Sequence, residues 1–389
     1  MCEPCRCPNN TTDCIQSPFE AIAAINNAST PSDGSGWTKT AAGCDVFGKS
    51  QSGFAAALAL AEQADYVVVG LGISDCGPDS PIDSGTCYKH SSTAQYEYPD
   101  GFMEMEAHDR TSIDLPPTQQ AFAKAVLALN KPTVVFLLNA GAVSIDDIAS
   151  HAASASAPLA IIEAFYPGLR GAQALAEGIF GDMNAWGRLP FTIYPSSFAT
   201  EAAMTEHDLR VAPGRTYRYH REPQFAFGTG LSLTNWSLTG DAPACLAALS
   251  TSTPAEACAV TLSLRNTGAL AGDSVVLAYW HAKRDKTEWD ARRGGATDSR
   301  GQQLLTPLKQ LFDFQRVNDV KAGGSVSVLF DVTAAALAEV DEESGDLVSE
   351  AAEYQLRFED GGGQAVQLQA SVVGARRVLD RFPSDKPSQ

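Results

Sequence analysis

Positive charge is scarce in this chain. It has 28 Lys and Arg against 46 Asp and Glu, a formal net charge of -18. That balance argues against nucleic acid as a partner, whose phosphates want Lys and Arg. Long apolar runs are missing too: none approaches the roughly 18 residues needed to cross a membrane. The first ten residues, MCEPCRCPNN, have no apolar core of the kind a signal peptide carries. No internal repeat is visible. What remains is a chain of 389 residues with an ordinary apolar fraction of 44%, long enough for two or more domains and suited to neutral or cationic ligands.

Cysteine is present but uneven. Cys2, Cys5, Cys7 and Cys14 crowd the start, Cys44 stands alone, and Cys76 with Cys87 and Cys245 with Cys258 each bracket a short stretch. The first four have no second paired half, so a zinc site is disfavoured and neither a metal nor a cofactor is expected. The two later pairs predict local disulfides. Asn-X-Ser/Thr sequences at Asn9, Asn10, Asn27 and Asn235 fit a secretory history.

From Ser17 onward the pattern is regular. SPFEAIAAI reads as a helix with Ser17 as N-cap and Pro18 at its first position. GFAAALALAEQA is a second helix, and DYVVVGLG, residues 65–72, is a buried strand. A long polar stretch follows, residues 73–101. Then helix PTQQAFAKAVLAL, strand TVVFLLNAG, helix SIDDIASHA, strand LAIIEAFYPG, helix RGAQALAEGIFG and strand LPFTIY alternate. This pattern predicts an α/β sandwich with a mostly parallel sheet. After FAFGTGLS the chain turns to alternating strands separated by Gly, Asn and Asp turns, which predicts an all-β sandwich of roughly immunoglobulin size. VDEESGDLVS reads as a hairpin turning at Gly345. The expected boundaries are 1–14, a Cys-rich stretch; 15–225, the α/β sandwich; 226–244, a linker; 245–375, the β-sandwich; and 376–389, a tail.

Most single motifs are weak. GLGISD has two glycines of a dinucleotide fingerprint but Asp75 where the third would stand, and no helix begins there. FYPGLRG and FGDMNAWGRLP read first as connections rich in turn residues. PGRTYRYHREPQFAFGTGLS reads first as a surface linker with Tyr217 and Tyr219 packing beneath it, and second as a sugar platform. MEMEAHDR is better placed. It precedes a helix at the end of the loop that leaves the first strand's carboxyl end, where open α/β sheets build their sites. On the residues alone, a catalytic segment and a solvated acidic loop stand level.

Taken together, EMEAHDRTSIDLPPTQQ, EAFYPGLRGAQALAEGIFGDMNAWGRLPFTIYP, PGRTYRYH and FAFGTGLS resemble the carboxyl-terminal half of glycoside hydrolase family 3, in its β-xylosidase and α-arabinofuranosidase branch. LKQLFDFQRV with VKAGGSVSVLFDVT resembles that family's terminal fibronectin type III-like domain. The resemblance runs in order from about residue 15 to about residue 373. It implies retaining hydrolysis of O-glycosyl bonds in xylan-derived saccharides. An oligosaccharide or glycoside is then the substrate, and the full-length protein is extracellular or in the secretory pathway. It also implies a site shared with an N-terminal (β/α)8 barrel that brings an Asp nucleophile. This chain has no barrel sequence, so a barrel domain from a longer native chain is the implied partner. Alone, the chain is expected to hydrolyse no glycoside at a useful rate. The alternative is a non-catalytic carbohydrate-binding or scaffold module of the same descent.

The E-x-E-x-x-D-R block maps onto Glu104, Glu106, Asp109 and Arg110. In an extended stretch, positions two apart share a face. Glu104 and Glu106 are therefore the catalytic candidates, with Glu106 preferred as acid/base and Glu104 the alternative. Asp109, Arg110 and Tyr166 are candidate substrate contacts, and His108 reads as a surface residue. One departure stands out. About thirty residues, Ser74 to Met103, intervene where the family's turn is short. That insertion raises the question of whether the block still reaches the site.

Overall fold

The computed structural model describes residues 15–27, 37–46, 49–74, 104, 110–154, 156–283, 307–341 and 344–383. They form two compact units. One comprises residues 1–183, 192–203 and 222–225, and the other 184–191, 204–221 and 226–389.

The first unit is the α/β sandwich. Helix α1, Pro18–Asn26, begins as its sequence predicts. Ser17 Oγ accepts from the Glu20 N–H at 3.2 Å, and Glu20 Oε2 accepts from the Ser17 N–H at 2.7 Å, a reciprocal capping box. Helix α2, Phe54–Gln63, leads into β1, Val67–Gly72. Helix α3, Pro117–Leu127, β2, Thr133–Leu138, helix α4, Asp146–Ser154, β3, Leu159–Glu163, and helix α5, Gly171–Phe180, follow. The three strands pair in parallel in the order β1-β2-β3. Their carboxyl ends therefore lie along one edge. Val69 and Leu71 of β1 and Val135 and Leu137 of β2 pack with Phe122 and Val126 of α3 in one core cluster. LPFTIY, expected as a further strand, makes one isolated antiparallel bridge, Ile193 with Phe225. Pro190 and Pro195 each lack the N–H that a ladder needs.

The second unit is the β-sandwich. A five-stranded sheet has the order β5-β13-β12-β7-β8, and a three-stranded one the order β4-β6-β9. These are β4, Trp236–Gly240, β5, Leu249–Ser250, β6, Cys258–Asn266, β7, Gly272–Lys283, β8, Gln310–Val320, β9, Ser325–Val332, β12, Ala352–Glu359, and β13, Ala365–Val373. In β6 every second residue is buried, the mark of a strand with one face on the core. Residues 226–244, expected as a linker, contribute β4, which pairs antiparallel with β6. The hairpin is present: β10, Glu339–Val340, pairs antiparallel with β11, Leu347–Ser349, and Gly345 takes φ 77° in its turn. Residues 376–389, expected as a tail, include β14, Arg377–Asp380, on β11. Cys245 and Cys258 are joined, with Cα atoms 5.7 Å apart, and Cys44 is a free, half-buried thiol. The Cys76–Cys87 pairing falls outside the described residues. Tyr217 stacks on Phe227 with ring centroids 4.7 Å apart, and Tyr219 is buried, so both rings face inward. No helix among the described residues is long and apolar enough to cross a membrane.

Candidate active site

Glu104 sits at the carboxyl edge of the parallel sheet. Its backbone N–H donates to the Ser74 carbonyl at 3.1 Å, and the Ile73 N–H just before donates to the Leu138 carbonyl at 3.0 Å. The thirty-residue insertion therefore leaves and rejoins the site at one place, beside the end of β1.

The Glu104 carboxylate is gripped by the ends of the other two strands. Beyond β2, the Ala140 N–H donates to Oε2 at 2.7 Å and the Gly141 N–H donates to Oε1 at 2.5 Å. Beyond β3, the Tyr166 hydroxyl donates to Oε2 at 2.6 Å; its oxygen also lies 3.1 Å from the Ile73 carbonyl. Charge-assisted bonds of this length are the strong ones. Gly141 is needed for closeness: a Cβ there would stand 3.0 Å from Arg110 Nη2 and 3.2 Å from Glu104 Oε1. Arg110 donates through Nη2 to the Ala142 carbonyl at 2.9 Å. Burial lowers the pKa of its guanidinium, while Glu104 and Tyr166 favour its charge. The segment that follows Arg110 runs beside the strand-end loop, with Asp114 bridged to Ser144 and the Ser144 N–H donating to the Ile113 carbonyl at 2.7 Å.

Beneath this grip lies a second carboxyl. Glu163, the last residue of β3, has its pKa pushed up to about 7, chiefly by burial. The Asn139 side chain and the Phe165 N–H oppose that shift, and the charge of Glu104 reinforces it. Its Oε2 is buried with no hydrogen-bond partner. Asn139 is wholly buried, and its Nδ2 donates to the Gly141 carbonyl at 2.9 Å while its Oδ1 has no donor. The edge of β1 is completed by Gln119 of α3, whose amide bonds both the N–H and the carbonyl of Gly72 at 2.9 and 2.7 Å.

Of the residues singled out from sequence, the structure brings Glu104, Arg110 and Tyr166 together. Glu106, His108 and Asp109 lie outside the described residues. Sequence reasoning missed Asn139, Gly141, Glu163 and Gln119. A signal was available for the first three: LLNAG and IIEAF end parallel strands, and their carboxyl ends face the site.

The class of protein defined here is a parallel α/β sandwich with carboxylates at its carboxyl edge, joined in one chain to a fibronectin type III-like β-sandwich. The chain belongs to glycoside hydrolase family 3: the model of the glycosyl hydrolase family 3 C-terminal domain matches residues 5–233, and that of the fibronectin type III-like domain matches residues 297–360. It is 30% identical over 359 residues to the "Probable exo-1,4-beta-xylosidase bxlB" of Aspergillus fumigatus, covering 89% of this chain and 40% of that protein. It is 38% identical over 207 residues to "Probable beta-D-xylosidase 6" of Arabidopsis thaliana, covering 51% and 22%. In fold it matches a GH3 exo-beta-xylosidase (XlnD) solved with a xylobiose aziridine probe, at a TM-score of 0.73 and 23% identity, over 95% of this chain and 43% of that one. The chain thus spans about two fifths of the length of such relatives.

Proposed function

We propose that this chain is the acid/base half of a retaining glycoside hydrolase of β-xylosidase or α-arabinofuranosidase type, with Glu106 as the proton donor and Glu104 as its anchor. The observation that carries this reading is the fastening of the segment on both sides of Glu106. Glu104 is held by Ala140, Gly141 and Tyr166, and Arg110 by the Ala142 carbonyl. A carboxylate accepting three donors has three of its roughly four lone-pair sites committed to the protein, which suits it to a fixed, orienting role. That leaves Glu106 for the transfer and gives Glu104 the work of orientation.

The chemistry needs two carboxyl groups about 5–5.5 Å apart across the glycosidic bond. One attacks the anomeric carbon as the other gives its proton to the leaving oxygen. The second then takes a proton from water as the covalent intermediate is hydrolysed. In this reading Glu106 is the second, and the nucleophile is an Asp of the barrel that precedes this half in the full-length protein. Xylan-derived saccharides are the substrate class, as the names of the relatives suggest. The Cys245–Cys258 disulfide supports an extracellular or secretory-pathway setting.

The test is a fusion of a family 3 barrel domain ahead of Met1, assayed on xylobiose, 4-nitrophenyl β-xyloside and 4-nitrophenyl α-arabinofuranoside. The chain alone turns over none of them. The fusion is active on at least one glycoside, and Glu106→Gln lowers its rate on xylobiose by about 10²–10⁴-fold, with a smaller loss on a substrate whose leaving group needs no protonation. Turnover that survives Glu106→Gln on xylobiose would remove the assignment. A fusion that binds xylobiose without turnover would favour a carbohydrate-binding module.

A further inference from the structure

Gln119 is buried in the first turn of α3 and has no task in the chemistry above. Its side chain reaches the end of β1, 47 residues back along the chain. There Oε1 accepts from the Gly72 N–H at 2.9 Å, and Nε2 donates to the Gly72 carbonyl at 2.7 Å. A carboxamide carries the donor and the acceptor of a peptide group. Gln119 therefore pairs with Gly72 as a neighbouring strand would. The other Nε2 hydrogen goes to the Val46 carbonyl at 2.7 Å. Turned over, the amide would set its oxygen against two carbonyl oxygens, so its orientation is fixed. Gly72 is itself closely seated: a Cβ there would stand 2.0 Å from the Leu138 carbonyl oxygen.

The candidate site hangs from this clasp. Next after Gly72, the Ile73 N–H donates to the Leu138 carbonyl at 3.0 Å, and the Ile73 carbonyl meets the Tyr166 hydroxyl at 3.1 Å. The Ser74 carbonyl then accepts the Glu104 N–H at 3.1 Å. From that point the Glu104 carboxylate has to reach the Ala140 and Gly141 N–H groups beyond β2. Hydrogen bonds weaken steeply with misalignment, so the end of β1 must lie in one place for both to form. We propose that Gln119 is a positioning residue for Glu104: by clasping the start of α3 to the end of β1, it fixes where the Ser74 carbonyl lies and keeps the Glu104 carboxylate on its two backbone donors. This rests on the reading that Glu104 anchors the segment carrying the proton donor. An apolar side chain of similar length at position 119 fills the same space but leaves the Gly72 N–H and the Gly72 and Val46 carbonyls without their partner. The end of β1 then opens more often, and Glu104 opens with it.

The first experiment is hydrogen exchange followed by NMR on the whole chain, which needs no turnover and so cannot fail for want of a barrel. In the wild type, the Gly72, Ile73 and Glu104 amides open together, with protection factors within about threefold of one another. Gln119→Met lowers all three, and those of Ala140 and Gly141, by about tenfold. The Leu175 and Ala176 amides of α5 keep theirs, which separates loss of a local clasp from a general loss of stability. A Glu104 amide that opens independently of Gly72 in the wild type overturns the proposal without any variant. So do unchanged Glu104 and Gly141 amides in a folded Gln119→Met. The second experiment uses the active barrel fusion and reads kcat/KM, which reports the step that forms the covalent intermediate. Gln119→Met lowers it on xylobiose about tenfold more than on a substrate whose leaving group needs no protonation, because only proton delivery depends on this placement. Equal losses on the two substrates overturn the proposal. A fusion inactive from the start, with the exchange pattern as expected, counts against the catalytic reading and leaves the clasp standing.

Discussion

The two units differ in where their buried polar groups gather. In the β-sandwich, Val260, Leu262, Leu264, Phe330, Leu356 and Phe358 are wholly buried in one apolar cluster. Its buried polar side chains are scattered, as where Asn266 Nδ2 donates to the Val320 carbonyl at 2.9 Å and Asp360 Oδ1 accepts from the Gly362 N–H at 2.9 Å. In the α/β unit, a carboxylate, a second carboxyl, an amide and a guanidinium converge at the ends of three strands. Burying such groups is costly unless each is hydrogen-bonded. The β-sandwich is therefore built around an apolar core, and the α/β unit gathers bonded polar groups at one edge of its sheet.

The sharpest way to break that contrast is to cut into the β core. Phe330→Ala is expected to cost about 3–5 kcal/mol, because a wholly buried ring leaves a cavity; a loss under about 1 kcal/mol in denaturant unfolding would show that the core collapses onto the gap. Next is the disulfide. Replacing Cys245 and Cys258 together by Ser frees a loop of sequence separation 13, and the expected loss is about 3 kcal/mol on the loop-entropy account. The same thermal scan under reducing conditions should reproduce it.

In the α/β unit the effects are smaller and depend on pH. The Glu163 value of about 7 lies above the ordinary 4.5, so the folded chain keeps a proton that the unfolded chain releases. Its contribution is full below pH of about 4.5 and is lost as pH rises through about 7. Across that window the loss is on the order of 2 kcal/mol, discounted for partial exposure. Glu163→Gln should flatten the slope of Tm against pH there, and an unaltered slope would assign it to other groups. The smallest effect belongs to the exposed cap of α1. Ser17→Ala should cost about 1 kcal/mol at most, since only one helix end loses its acceptor. Denaturant unfolding that shifts by several times that would mean α1 anchors more than its own first turn.

Much of this was legible in sequence. Ser17 and Pro18 announced α1 because capping is local chemistry, confined to four consecutive residues. The alternation of β6 and the apolar runs of β1 and β2 announced their strands because side-chain direction repeats every two residues whatever the rest of the chain does. LPFTIY misled, since its apolar content resembles a strand while its flanking prolines withhold donors. The linker reading of 226–244 missed β4, whose partner β6 begins eighteen residues after β4 ends.

The sequence by itself determined the two-part architecture and the family, because periodicity and motif spacing are properties of the chain alone. Only the tertiary structure decided what holds the Glu104 carboxylate. Its partners come from residues 140, 141 and 166, and no local pattern records which strand ends a parallel sheet will bring side by side. The same holds for Glu163. Its letter is that of any surface carboxylate, and burial at the end of β3, beside Asn139 and Glu104, is what changes its proton affinity.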